Sequence, residues 1–250
     1  GLGPGHVRHE ADVLVERKGG IRPIGLAGAI ADQRDRAIRE DRAQAAATQD
    51  VALDPYDGEV RRLGAGDLLV VGAAGGVGSV MIQLAKALTK VRVIATASRE
   101  PSRAWVRQMG ADEVVDHHDL ANQAGRVAPD GVDYLFSPHS RGNVETYASI
   151  VRPFGHITAI DEPAGLDLVG LKPKSIAWHW ELMFTRPLFG YDMIAQQKLL
   201  AATADLVDQG VIRTTVTKTI TGLDADSIRE AHEDIETGHT VGKVVVTQEN

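Results

Sequence analysis

The sequence predicts an α/β fold: a doubly wound parallel sheet behind a short, poorly specified N-terminal segment. Two observations predict it. Residues 68–71 (Leu-Leu-Val-Val) form a fully apolar run, a glycine cluster follows at once, and residues 80–88 carry a helical pattern without a breaker. Such a run reads as a strand buried on both faces. Beyond it, apolar runs and helical patterns alternate at crossover spacing as far as Ile160, the arrangement of a parallel sheet covered on both sides.

The chain before residue 67 differs in character. Tyr56 is its only Phe, Trp or Tyr, and ten Lys/Arg stand against eleven Asp/Glu. Residues 11–16 read as a short strand. Residues 27–47 read as a helix whose apolar positions are small. A helix of that kind buries little area and is weakly held by packing, so partial disorder is expected here.

From residue 67 the elements follow in order. Strand 68–71 enters the turn Gly72-Ala-Ala-Gly75-Gly76-Val77-Gly78, which opens a helix. One glycine lets the chain reverse in a conformation that other residues avoid. Another removes a side chain where phosphate would touch backbone, and a third lets helix and strand lie close. The helix N-terminus adds free N–H groups and partial positive charge. Strand, glycine turn and helix in that order are the context in which the motif signals a bound dinucleotide.

Residues 91–96 are the second strand. Pro101 starts a helix behind Ser98; Trp105, Val106 and Met109 share one face, and Gly110 ends it. Residues 113–115 and 132–136 are the third and fourth strands. Val144, Tyr147, Ala148 and Val151 fall at helical spacing, Pro153 stops that helix, and residues 155–160 are a fifth strand. Right-handed crossovers put every C-terminal strand end on one edge. Gly72, Ser98, Ser137 and Asp161 should line that edge. An aromatic-rich stretch (172–189), a helix (193–209), a strand (214–221), a helix (226–236) and a terminal strand (243–246) complete the chain. The aromatics, Trp178, Trp180, Phe184 and Phe189 among them, suit interface packing better than a substrate pocket. Three parts are expected: an N-terminal segment 1–66, a Rossmann-like dinucleotide-binding domain 67–222, and a C-terminal helix and strand 223–250.

Composition narrows the chemistry. The 250 residues are 43% hydrophobic and 24% charged, with a formal net charge of -7. That balance argues against nucleic-acid and anionic-membrane partners. The chain has no cysteine, which excludes disulfides, Cys-ligated zinc and a cysteine nucleophile. No apolar run approaches a membrane span and no signal-peptide pattern opens the sequence, so a cytoplasmic protein is expected.

The candidate cofactor residues are Gly72, Gly75, Gly76, Val77 and Gly78 at the turn, and Thr96, Ser98 and Arg99 at the end of the second strand. The latter lie about 20 residues on, where a ribose is met. NAD-binding folds place an acid there; a hydroxyl and a guanidinium suit a 2′-phosphate, which favours NADP over NAD, although Glu100 could serve a ribose. Ser137 and Asp161 are placed beside the nicotinamide by position alone. The histidines offer no metal site on this reading. His117 and His118 are adjacent, so their side chains should diverge. His232 shares an apolar face with Ile228, Ala231 and Ile235, and His179 sits among aromatics. No His-Glu-x-x-His occurs, and no zinc is expected.

Several motifs together resemble a known family. Residues 70–79, Gly110-Ala-Asp112 with Asp116, Gly131-Val-Asp133, and Glu236-Thr-Gly238 followed by Gly242-Lys243 are similar to the medium-chain dehydrogenase/reductase superfamily. Residues 94–99 and 179–184 resemble its zinc-type alcohol dehydrogenase-like and quinone oxidoreductase branch. The resemblance implies hydride transfer from NADPH to a quinone or α,β-unsaturated carbonyl without a metal, and a homo-oligomer. In that family a GroES-like catalytic barrel precedes the nucleotide fold. Only 66 residues precede it here, without a barrel motif, so the catalytic domain reads as missing, shortened or replaced and turnover is expected to be weak. A non-catalytic NADPH-binding module, or a truncated remnant, is the alternative.

Overall fold

The structure, a computed structural model, describes residues 65–248 and the backbone of two strands further upstream, β1 (Asp12–Val15) and β2 (Arg22–Gly25). These two pair antiparallel, and β1 falls within the strand expected at 11–16. The helix expected at 27–47 lies outside the described residues. Contacts divide the chain into units 1–50 and 51–250.

The second unit is built on a six-stranded sheet, all parallel, in the order β5-β4-β3-β6-β7-β8. Its strands are β3 (Asp67–Val70), β4 (Arg92–Thr96), β5 (Glu113–Val115), β6 (Val132–Ser137), β7 (Val151–Ala159) and β8 (Ala177–Trp180). The chain winds outward from β3 to β5, then returns to β6 on the other side of β3 and winds out to β8. The order therefore reverses between β3 and β6, and an open α/β sheet binds its ligand in the crevice at that reversal.

The alternation of side chains explains why the strands read as unbroken apolar runs. Leu69, Ile94, Leu135 and Ile157 project to one face. There they meet α3 (Leu120–Val127) and α4 (Val144–Ile150) through Leu120, Ala124, Val144, Tyr147 and Ile150. Leu68, Val70, Val93 and Ala95 project to the other face. There they meet α1 (Gly76–Leu88) and α2 (Glu100–Met109) through Ile82, Ala85, Val106 and Met109. Each fully buried Ile or Leu contributes about 1.5–3 kcal/mol. Helix α2 ends on Gly110 in the left-handed conformation, φ 110°, as its sequence requires.

Three elements differ from expectation. Residues 117–131 carry a short 3-10 turn (His117–Asp119) and α3, anchored by little more than Leu120 and Ala124. Strand β7 begins at Val151 and runs through Pro153, where a helix stop and a gap were expected. The register shifts between Val132 and Tyr134 on β6, and Pro153 is tolerated because the ladder is already interrupted there. The aromatic stretch contains the edge strand β8, where Trp178 and Trp180 share a face.

After β8 come α5 (Thr185–Phe189), α6 (Met193–Asp208), β9 (Val216–Thr221), α7 (Ala225–Glu236) and β10 (Lys243–Thr247). Strands β9 and β10 pair parallel as a separate sheet, joining segments on both sides of residue 222. His232 is exposed, as are Ile228 and Ile235. This corrects the expected apolar face: α7 buries only Ser227 and Ala231. No helix among the described residues is long and apolar enough to cross a membrane.

Aspartates of the family-like motifs hold the frame. Asp133 accepts from Asp67 N (2.7 Å) and pairs with Arg152, while Asp112 accepts from Val93 N (2.7 Å) and pairs with Lys86. These contacts lie where β3 and β4 begin, at the edge of the sheet opposite the glycine turn.

Candidate cofactor site

The turn between β3 and α1 is fixed before any ligand arrives. Gly72 has φ +64°, a conformation that favours glycine, and its N–H donates to Thr96 Oγ1 at 3.0 Å. Thr96 is buried, so its hydroxyl braces the turn from the neighbouring strand. Gly75 caps α1 without a side-chain bond, and no acidic residue stands in the first turn. The first intrahelical bond runs from Ser79 N to Gly75 O (2.9 Å). The N–H groups of Val77 and Gly78 precede it and are open to an anion, while Gly76 faces Gly242 through a parallel bridge between Gly75 and Gly242. Val77 is exposed at this mouth.

Two glycines are required by close approach. A Cβ on Gly78 would lie 2.5–2.7 Å from Ala73 Cα, Ala73 O and Gly72 O, all backbone, so the helix rests directly on the turn. A Cβ on Gly76 would run into the aliphatic tail and Nζ of Lys243. Lys243 comes from β10, whose approach is fixed by Gly242 N donating to Ala74 O (2.8 Å). An ammonium therefore stands at the positive end of a helix. No carboxylate among the described residues pairs with it. This juxtaposition favours an anion, which would relieve both charges.

At the end of β4, Ser98 is half-buried and Arg99 is exposed at the start of α2. Arg99 Nη2 donates to His239 O at 2.9 Å, and Glu100 is exposed beside it. No acid ends β4. At the end of β6, Ser137 is fully buried; its hydroxyl bonds Tyr147 Oη (2.8 Å) and accepts from His139 N (3.0 Å). Tyr147 donates in turn to His139 O (2.8 Å). Burial pushes the Tyr147 phenol up to about 12, against the pull of Ser137. Asp161 accepts from Ser140 N and Oγ, both at 2.6 Å. The polar atoms of Ser137 and Asp161 thus fasten the loop after β6 at the expected edge.

That loop carries residues the sequence did not single out. Pro138 and the His139 imidazole stand 3.1 and 3.7 Å from where a Gly72 Cβ would be, so His139 overhangs the turn at the reversal of strand order. Lys243 and the His239 carbonyl were also missed, and a terminal Gly-Lys before a strand was the only signal available for Lys243.

The two adjacent histidines overturn an expectation. Their rings do not diverge: His117 and His118 have ring centroids 4.0 Å apart. Both turn toward Asp116, because the carboxylate caps the 3-10 turn through His118 N (2.9 Å) and also meets His118 Nδ1 (2.8 Å). The His118 amide holds the Asp116 carboxyl below the usual range. His179 pairs with His156 on β7, Nε2 to Nδ1 at 3.1 Å, and burial and His179 lower the His156 imidazole.

A doubly wound parallel sheet with a bare, cation-flanked helix N-terminus at its reversal point defines a dinucleotide-binding α/β protein. The profile described as "Zinc-binding dehydrogenase" matches residues 109–246. The chain belongs to that family, within the medium-chain dehydrogenase/reductase superfamily. A zinc-type alcohol dehydrogenase-like protein of Staphylococcus epidermidis is 40% identical over 183 residues, covering 72% of this chain and 54% of the relative. The crystal structure of a putative zinc-dependent alcohol dehydrogenase from Rhizobium etli is 37% identical. It superposes with a TM-score of 0.69 over 74% of this chain and 55% of its own. A mycobacterial structure solved with NADPH is 25% identical, with a TM-score of 0.62 over 72% of this chain and 54% of its own. The chain spans about half the length of the curated relatives it matches.

A zinc of the kind the family description names is not accommodated at the reversal point. The chain has no cysteine. Among the described residues one group of three His or acid side chains converges, Asp116, His117 and His118. It lies at the end of β5, two strands from the glycine turn. A nicotinamide dinucleotide does fit: the bare glycines, the free N–H groups and Lys243 form an anion cradle, and the end of β4 offers Ser98 and Arg99.

Proposed function

We propose that this chain is the cofactor-binding part of an NADPH-dependent oxidoreductase that reduces a quinone or α,β-unsaturated carbonyl. The observation that carries the reading is the α1 N-terminus, free of side-chain caps and acids, with Lys243 lying over Gly76. The Val77 and Gly78 N–H groups would hold the pyrophosphate, with Gly75 and Gly76 leaving room for it and Lys243 as its counter-ion. Ser98 and Arg99 would take the ribose 2′-phosphate. Arg99 has an ordinary carbonyl partner at present, and a phosphate is a stronger, charge-assisted acceptor. The bound cofactor supplies the hydride. The loop from Ser137 to Ser140, locked by Tyr147 and Asp161, would shape the crevice wall beside it. The family resemblance of residues 94–99 and 179–184 supports the quinone or enone as acceptor.

The test has two stages. Addition of NADPH should raise the thermal midpoint of the purified chain more than NADH does at equal concentration. Absence of a rise with either nucleotide would refute the cofactor reading. NADPH oxidation against a panel of benzoquinones and enones then tests the acceptor.

A further inference from the structure

We propose that Asp116, His117 and His118 form a surface site for a late first-row divalent metal ion, Zn²⁺, Ni²⁺ or Cu²⁺, separate from the cofactor crevice. Each residue offers one ligand atom, and all three atoms lie within 4.8 Å of one another. Asp116 Oδ1 is 2.8 Å from His118 Nδ1 and 3.9 Å from His117 Nδ1. A tetrahedral ion with bonds of about 2.0–2.1 Å sets its ligand atoms about 3.3 Å apart, so the two separations bracket the required value. Small rotations of exposed side chains close the difference.

The site is held in place by its own backbone. Asp116 Oδ1 accepts from His118 N (2.9 Å), and Asp116 N donates to Gln123 Oε1 (2.8 Å). This fixes the carboxylate at the head of the 3-10 turn and reduces the ordering cost of binding. The imidazole side chains are 51% and 71% exposed. An ion can therefore enter without opening the fold, and water completes its coordination. Two imidazoles and one carboxylate select borderline metals over Mg²⁺ or Ca²⁺, which prefer all-oxygen sites. Among the described residues, His156 and His179 form a competing pair, with two ligands and no carboxylate.

The experiment titrates the metal-free, full chain with Zn²⁺ by calorimetry and with Cu²⁺ by electron paramagnetic resonance. No nucleotide is present, so the result is independent of the cofactor reading. One saturable site is expected, with nitrogen hyperfine structure on Cu²⁺. His117→Ala and His118→Ala should each weaken binding at least roughly tenfold, while His156→Ala leaves it unchanged. Both ligands are exposed, and circular dichroism should show unchanged folds. Absence of saturable binding, undiminished binding in the double variant His117→Ala/His118→Ala, or loss confined to His156→Ala would each overturn the proposal.

Discussion

Alanine at Gly78 and alanine at Gly76 should separate what the glycine turn does for the fold from what it does for the cofactor. At Gly78 the new methyl meets three backbone atoms at 2.5–2.7 Å, and backbone cannot swing aside. Overpacking costs about 1–3 kcal/mol, and three backbone clashes place this case near 3. Alanine regains about 1 kcal/mol of helix propensity over glycine, leaving a net loss of about 2 kcal/mol. At about 2–4 °C per kcal/mol for a unit of this size, the thermal midpoint should fall by about 4–8 °C. At Gly76 the obstacle is the Lys243 tail, a flexible chain that rotates out of the way. Gly76→Ala should therefore melt within about 2 °C of the parent. Its methyl, however, stands in the anion cradle, and the midpoint rise produced by NADPH should vanish. Thermal melts followed by circular dichroism, with and without NADPH, read both effects. A Gly78→Ala chain as stable as the parent would show that α1 does not press on the turn. A Gly76→Ala chain that keeps its full NADPH response would show that phosphate is not held there.

Arg99→Ala removes one charge-assisted partner of about 1.5–3 kcal/mol. NADPH affinity should fall roughly ten- to a hundredfold, with little change for NADH. Equal losses for both would deny Arg99 the 2′-phosphate. Lys243→Gln, by contrast, should weaken both nucleotides alike, because both carry the pyrophosphate; fluorescence titration with each checks this. Tyr147 gives a pH signature. Its phenol is raised from the ordinary 10 to about 12 in the folded chain, so the folded state retains the proton longer. Stability should be level below about pH 10 and decline between about pH 10 and 12, by at most about 2.7 kcal/mol. Tyr147→Phe should lose about 1–2 kcal/mol at neutral pH and show a shallower alkaline decline in urea denaturation; an unchanged slope would contradict the assignment.

The centre of the sheet was legible in the sequence because β3, β4 and β6 are buried on both faces and carry no alternation to misread. The edges were not. Strand β8 is four residues long, Trp178 alone of its aromatics packs on the core and Trp180 is exposed, a pattern as compatible with a loop. Pro153 reads as a terminator because local rules do not foresee an interrupted ladder. The glycine turn was legible because Gly72 and Gly78 answer backbone demands, a left-handed φ and a close approach. Lys243 was not, because its place over Gly76 depends on a strand at the far end of the chain. The His117–His118 pair was misread by treating adjacent side chains as diverging, whereas a tight turn capped by Asp116 brings both rings onto one carboxylate.

The clasp between the loop before β10 and the nucleotide turn has a consequence for biosynthesis. Arg99 and the carbonyl it holds, His239, are 140 residues apart, and Gly242 and Lys243 follow immediately. Ribosomes add about 5–20 residues per second, and Lys243 lies 167 residues beyond Gly76, so the glycine turn waits roughly 8–33 s on the nascent chain before its counter-ion is made. Through that interval the sheet can assemble, since β3 to β8 are all complete by Trp180, but the anion cradle lacks its cation. The cradle is therefore complete only once Lys243 has been added, well after the sheet that carries the glycine turn.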